Sequence, residues 1–117
     1  MPSALDLRLQ SAYEQITGPG GMIKVGTTQR YGLDLPFIAN APTNLADYMA
    51  FFCHTHGDAT FLVEGDERLS FKEFYGAARA VAMGLVAQHG VKKGDRVGIA
   101  MRNANSWAVV YAGILMA

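Results

Sequence analysis

An α/β fold is the class this chain predicts, and three observations predict it. Apolar residues recur at helical period through Leu45–Phe52 and again through Phe71–Leu85, and short apolar runs bounded by turn residues alternate with them. Half of the 117 residues are hydrophobic and 10 basic side chains balance 10 acidic ones, which is the composition of a globular chain. The rhythm of strand and helix also calls for one more strand after the last helix, so the sheet is expected to be incomplete. A chain of this length buries roughly two-thirds of the surface it exposes when unfolded, enough for one modest core.

The elements follow in order. Ser3 with Asp6 three positions later starts a helix, and Leu5, Leu9, Ala12, Tyr13 and Ile16 give it one apolar face. "GPGG" closes it, because glycine supplies left-handed conformations and Pro19 cannot continue the ladder. Residues 22–42, "MIKVGTTQRYGLDLPFIANAP", hold no sustained period and are expected to form an extended arm with one short strand at most. Thr43 is the expected cap of a second helix, carrying Leu45, Tyr48, Met49 and Phe52, which "HGD" ends. "ATFLVEGDERLSF" reads as a hairpin reversing at Gly65-Asp66.

Ser70 and Glu73 make a capping box for the third helix, whose Phe71, Phe74, Ala78, Val81 and Leu85 share a face and which Gly90 ends. Gly76 and Gly84 lie inside it, each unfavourable by ~1 kcal/mol relative to alanine, and close approach of a neighbouring element is the expected reason. "VKKGD" is a turn and "RVGIAM" a strand. Asn103 or Asn105 is the expected cap of a last helix through Trp107, Val110, Tyr111, Ile114 and Leu115.

Composition and motif spacing exclude several functions. A net charge of zero gives nucleic acid no electrostatic foothold, and the Lys92-Lys93 pair sits in a turn. A single cysteine, Cys53, precludes an internal disulfide and suits a reducing cytoplasm. Residues 103–117 carry no charge but fall short of the ~20 apolar residues a spanning helix needs, so no transmembrane segment is expected.

Cys53, His54 and His56 include zinc-binding types, but a structural site takes four ligands and His89 is the only other histidine. The two histidines instead suit the carbonyl end of a helix. Cys53 as a nucleophile would need an arranged base and a lowered pKa. Ser106 lacks the Gly-x-Ser-x-Gly setting of a nucleophile elbow. The charges of "EGDER" are expected to be solvated at a hairpin tip rather than to form a calcium loop. Lys92-Lys93-Gly94 does not open onto a helix, and Trp107 with Tyr111 reads as core or interface.

Three stretches in this order resemble the start of an acyl-adenylate-forming enzyme, the superfamily of AMP-forming acyl-CoA synthetases, luciferases and adenylation domains. "LSFKEF" at 69–74 resembles the family's first core motif, Leu-[Ser/Thr]-Tyr-x-Glu-Leu, with aromatic substitutions at two places. "GVKKGDRVGIAMRNANSW" at 90–107 resembles its Gly-Val-x-x-Gly-Asp-x-Val segment, and "YAGILMA" resembles the opening of its second core motif. The resemblance spans residues 58–117, and the arm before the second helix is similar to that of bacterial acyl-CoA synthetases.

The resemblance implies ATP-dependent activation of a carboxylic acid, a fatty or related acyl acid, to acyl-AMP and then to its CoA thioester. ATP, Mg²⁺ and CoA are the cofactors it implies for the full-length enzyme. The family's Ser-Gly-Thr-Thr-Gly-x-Pro-Lys phosphate loop is absent. "VGTTQR" at 25–30 lacks its second glycine, proline and lysine, precedes the first core motif, and is expected to be a polar loop.

The expectation is therefore an N-terminal fragment, with a helix and arm over 1–42 and the start of the AMP-binding domain over 43–117, itself non-catalytic and without catalytic, cofactor-binding or metal-binding residues. The remainder of the parent enzyme is its expected partner, with self-association through an exposed last helix. The alternative is a stand-alone interaction module using that same helix.

Overall fold

The computed structural model describes residues 1–117 as two compact units, Met1–Ala41 and Pro42–Ala117. In the first, helix α1 spans Ala4–Thr17 and begins at the predicted box. The Ser3 N–H donates to Asp6 Oδ2 at 2.7 Å, and the Asp6 N–H donates to Ser3 Oγ at 3.2 Å. The Ser3 hydroxyl and N–H hold the Asp6 carboxyl below its ordinary pKa. The box therefore weakens as pH falls through that lowered value. None of α1's residues is buried.

The predicted arm is a hairpin. Strand β1, Val25–Arg30, pairs antiparallel with β2, Leu33–Ile38, around the two-residue loop Tyr31-Gly32. Both loop residues have positive φ, 55° and 75°, as a type I′ reversal requires. Tyrosine is an uncommon residue in that left-handed position, which is why the loop carried no turn signal. "VGTTQR" is thus a strand and not a polar loop. Its Gly26 faces Phe37, and a Cβ at residue 26 would come within 2.8 Å of the Phe37 ring.

In the second unit, α2 spans Leu45–His56, capped by Asn44 rather than Thr43; the Asn44 side chain accepts from the Asp47 N–H at 2.9 Å. Its inward side carries Met49 and buried Cys53, while Leu45 and Tyr48 stay exposed. The second hairpin forms as predicted: β3, Thr60–Glu64, pairs with β4, Glu67–Ser70, and Gly65 supplies the positive φ of the turn. Ser70 ends β4 and caps α3, Phe71–His89, together with Glu73. Gly90, left-handed at φ 65°, donates its N–H to the Val86 carbonyl at 3.1 Å and ends α3.

Helix α4, Asn105–Met116, packs against α3. Phe74 and Ala78 of α3, Ala112 of α4 and Cys53 of α2 form the core, with Leu62 and Phe71 against it. Small residues bring α3 and α4 close: Ala78 and Ala112 are fully buried, and a Cβ at residue 113 would lie 2.7 Å from Val81 Cβ. Close approach thus belongs to Gly113 and not to Gly76 or Gly84, which have nothing within 4 Å of an added Cβ. Gly84→Ala and Gly76→Ala are accordingly expected to stabilise α3 by up to ~1 kcal/mol each, read as a higher urea midpoint; an unchanged or lower midpoint would refute the open-space explanation.

The α/β class holds, with four helices and two small antiparallel sheets that do not join. "RVGIAM" at 96–101 is not a strand here. A strand exists only with a partner to accept its ladder hydrogen bonds, and neither hairpin extends to these residues.

Candidate functional site

Among the side chains with catalytic or ligating chemistry, Cys53 is buried, while His54 and His56 are exposed and lie against aromatic rings. Burial pushes the Cys53 thiol pKa up, so the nucleophilic thiolate is disfavoured. His54 meets the Tyr75 ring edge-on at 5.1 Å. His56 lies 5.0 Å from the Phe71 ring and nearly parallel to Phe52 at 6.1 Å. Both histidines occupy the last turn of α2, as cap chemistry predicts. No group of three or more His, Cys, Asp or Glu side chains converges closely enough to hold a metal ion. Trp107 and Tyr111 stack on each other, centroids 5.3 Å apart and 6° from parallel.

Phosphate would be drawn to helix N-termini, where free N–H groups and the helix dipole favour an anion. Here every helix start meets a carboxylate of the chain itself. Asp6 closes the start of α1, and Asp47 lies in the first turn of α2. Glu73 occupies α3, its carboxyl held below the ordinary pKa by the Ser70 N–H and hydroxyl. The remaining first-turn donors of α3 are also satisfied, Phe71 N–H by the Ala59 carbonyl at 3.0 Å and Lys72 N–H by the Gly57 carbonyl at 2.9 Å.

At α4 neither Asn103 nor Asn105 is the cap. Ala104 takes that position and has no side-chain acceptor. The Asn105 N–H donates instead to Glu64 Oε2 at 2.7 Å, and Asn105 Nδ2 reaches toward Glu67 Oε2 at 3.5 Å. The two glutamates of "EGDER" are therefore tied to α4 and are not merely solvated. The only sequence signal for this is a negative one, an alanine where a cap belongs.

An open cleft of about 550 Å³ lies between the start of α2, the turn after α3 and the end of α4. Lys92, Lys93, Asp47 and Asp95 line it with Ile114 and Leu115. Asp95 Oδ2 accepts from the Lys92 N–H at 2.8 Å, which makes the turn self-satisfied. Two cations beside two carboxylates leave little net field for a polyanion.

The family model described as AMP-binding enzyme matches residues 50–117, more than half of the chain. No curated protein and no solved structure matches it. The match takes in α2 from Ala50, the second hairpin, α3 and α4.

Proposed function

Since this chain belongs to the AMP-binding enzyme family, the adenylate-forming superfamily, we propose that residues 43–117 serve as scaffold in an ATP-dependent acid–CoA ligase acting on a fatty or related acyl acid. The observation that carries this reading is the family match over 50–117, which takes in the ordered motifs "LSFKEF" and "GVKKGDRVGIAMRNANSW". The reaction would activate a poor electrophile, the carboxylate, by giving it AMP as a leaving group, and then pass the acyl group to the CoA thiol. Residues 1–117 would supply none of the nucleotide contacts. In support, the chain's own carboxylates accept backbone N–H groups at the starts of α1, α3 and α4, and the Asn44 side chain caps α2.

The scaffold role also accounts for the surface of α4, where Tyr111 and Leu115 remain exposed beside the unpaired run 96–101. The remainder of the parent enzyme would cover them, and without it the chain would self-associate through that face. No helix is long and apolar enough to cross a membrane. The single buried thiol supports a cytoplasmic setting. The interaction-module alternative has no observation of its own behind it.

Calorimetry of residues 1–117 with ATP and Mg²⁺ is expected to give no saturable heat, and light scattering a species larger than a monomer. Saturable micromolar binding would overturn the scaffold reading. For the ligase itself, the parent enzyme is expected to release pyrophosphate from ATP only when given an acyl acid, and to form a thioester when CoA is added. Pyrophosphate release without thioester formation would remove the CoA part of the proposal.

A further inference from the structure

We propose that the β3–β4 hairpin acts as a latch that starts helix α4: the Glu64 carboxylate supplies the N-terminal cap that Ala104 lacks, so that α4 forms only on a completed hairpin. Three of the four helices begin on a local side-chain cap, from Ser3, Asn44 and Ser70. Helix α4 alone begins on a residue that cannot accept a hydrogen bond through its side chain. Its acceptor comes from 41 positions earlier, where Glu64 Oε2 takes the Asn105 N–H at 2.7 Å. A bond from a backbone N–H to an ionised carboxylate is charge-assisted, and it lies at the positive end of the helix dipole.

Two further observations point the same way. Glu64 and Glu67 are direct partners across β3–β4. Like charges in that position destabilise a hairpin on its own, yet here both are directed toward α4, with Glu67 Oε2 3.5 Å from Asn105 Nδ2. Asn105 is the buried polar residue of the chain, 7% exposed, and its backbone and side-chain donors both face these carboxylates. The hairpin must therefore be closed, with Gly65-Asp66 reversed and β3 in register with β4, before the acceptor stands where α4 begins. Once capped, α4 presents Ala112 and Gly113 to α3. The latch thus places the closing of a local hairpin ahead of the docking of a distant helix.

The test is residue-resolved amide hydrogen exchange on the 117-residue chain. Glu64→Ala is expected to speed exchange across 105–116 by roughly tenfold, the scale of a lost helix cap, with residues 45–56 of α2 unchanged. Glu64→Gln, which keeps an acceptor and loses the charge, is expected to give a smaller acceleration and serves if Glu64→Ala does not fold. Adding Ala104→Ser to either variant should restore slow exchange, because Ala104 already has the extended backbone of a capping residue, φ −152° and ψ 169°, and serine there supplies a local acceptor. Unchanged exchange over 105–116, an equal acceleration throughout α2, α3 and α4, or failure of Ala104→Ser to rescue would each overturn the latch.

Discussion

Phe74→Ala is expected to abolish the cooperative unfolding transition of Pro42–Ala117 or leave it barely measurable. The Phe74 side chain is 4% exposed and sits among Cys53, Ala78 and Ala112, with the Phe61 ring edge-on at 4.8 Å. Truncating a buried phenylalanine costs about 3–5 kcal/mol, combining lost transfer energy with the cavity left behind. The unit it anchors has few other large buried side chains, since the remaining core positions are cysteine and alanines. A domain of this size holds only roughly 4–11 kcal/mol of stability in total, so one substitution removes a large share of it. Urea unfolding followed by near-ultraviolet circular dichroism measures the effect. A loss below about 1 kcal/mol, the scale of a surface change, would show that Phe74 does not anchor this core.

Gly113→Ala is the second large effect, and its sign is opposite to that of the same substitution inside α3. Alanine improves helix propensity by up to ~1 kcal/mol wherever there is room for its methyl group. At residue 113 there is none: the Cβ would stand 2.7 Å from Val81 Cβ and Cγ1 and 2.8 Å from the Ala78 carbonyl oxygen. The carbonyl belongs to the backbone of α3 and cannot swing aside, so α4 must move away from α3 and open the contact around Ala78 and Ala112. Overpacking of this kind costs typically ~1–3 kcal/mol, which outweighs the propensity gain. The expected result is a lower urea midpoint for Gly113→Ala alongside a higher one for Gly84→Ala. If both substitutions stabilise, the close crossing of α3 and α4 is not where the structure puts it.

The residues that were legible in advance share a physical property. Ser3 with Asp6, Ser70 with Glu73, Gly65 at the hairpin turn and Gly90 at the end of α3 all act on backbone groups within a few positions of themselves. The order of the family motifs was legible for the same reason, being written along the chain, and the match over 50–117 agrees with it.

What stayed hidden was either conformationally unusual or distant in the chain. Tyr31 turns the first hairpin with a φ that tyrosine seldom adopts, so β1 and β2 read as an arm. "RVGIAM" has the composition of a strand, but pairing is a property of two segments, and no second one accepts it.

By itself, then, the amino-acid sequence determined where α1, α3 and the second hairpin start and stop, because capping and turn chemistry are settled by neighbours within four or five residues. Only the tertiary structure decided which glycine is crowded, which residue caps α4 and which apolar run goes unpaired. Each of those depends on atoms brought from tens of positions away, as Glu64 is brought to Asn105 and Val81 to Gly113.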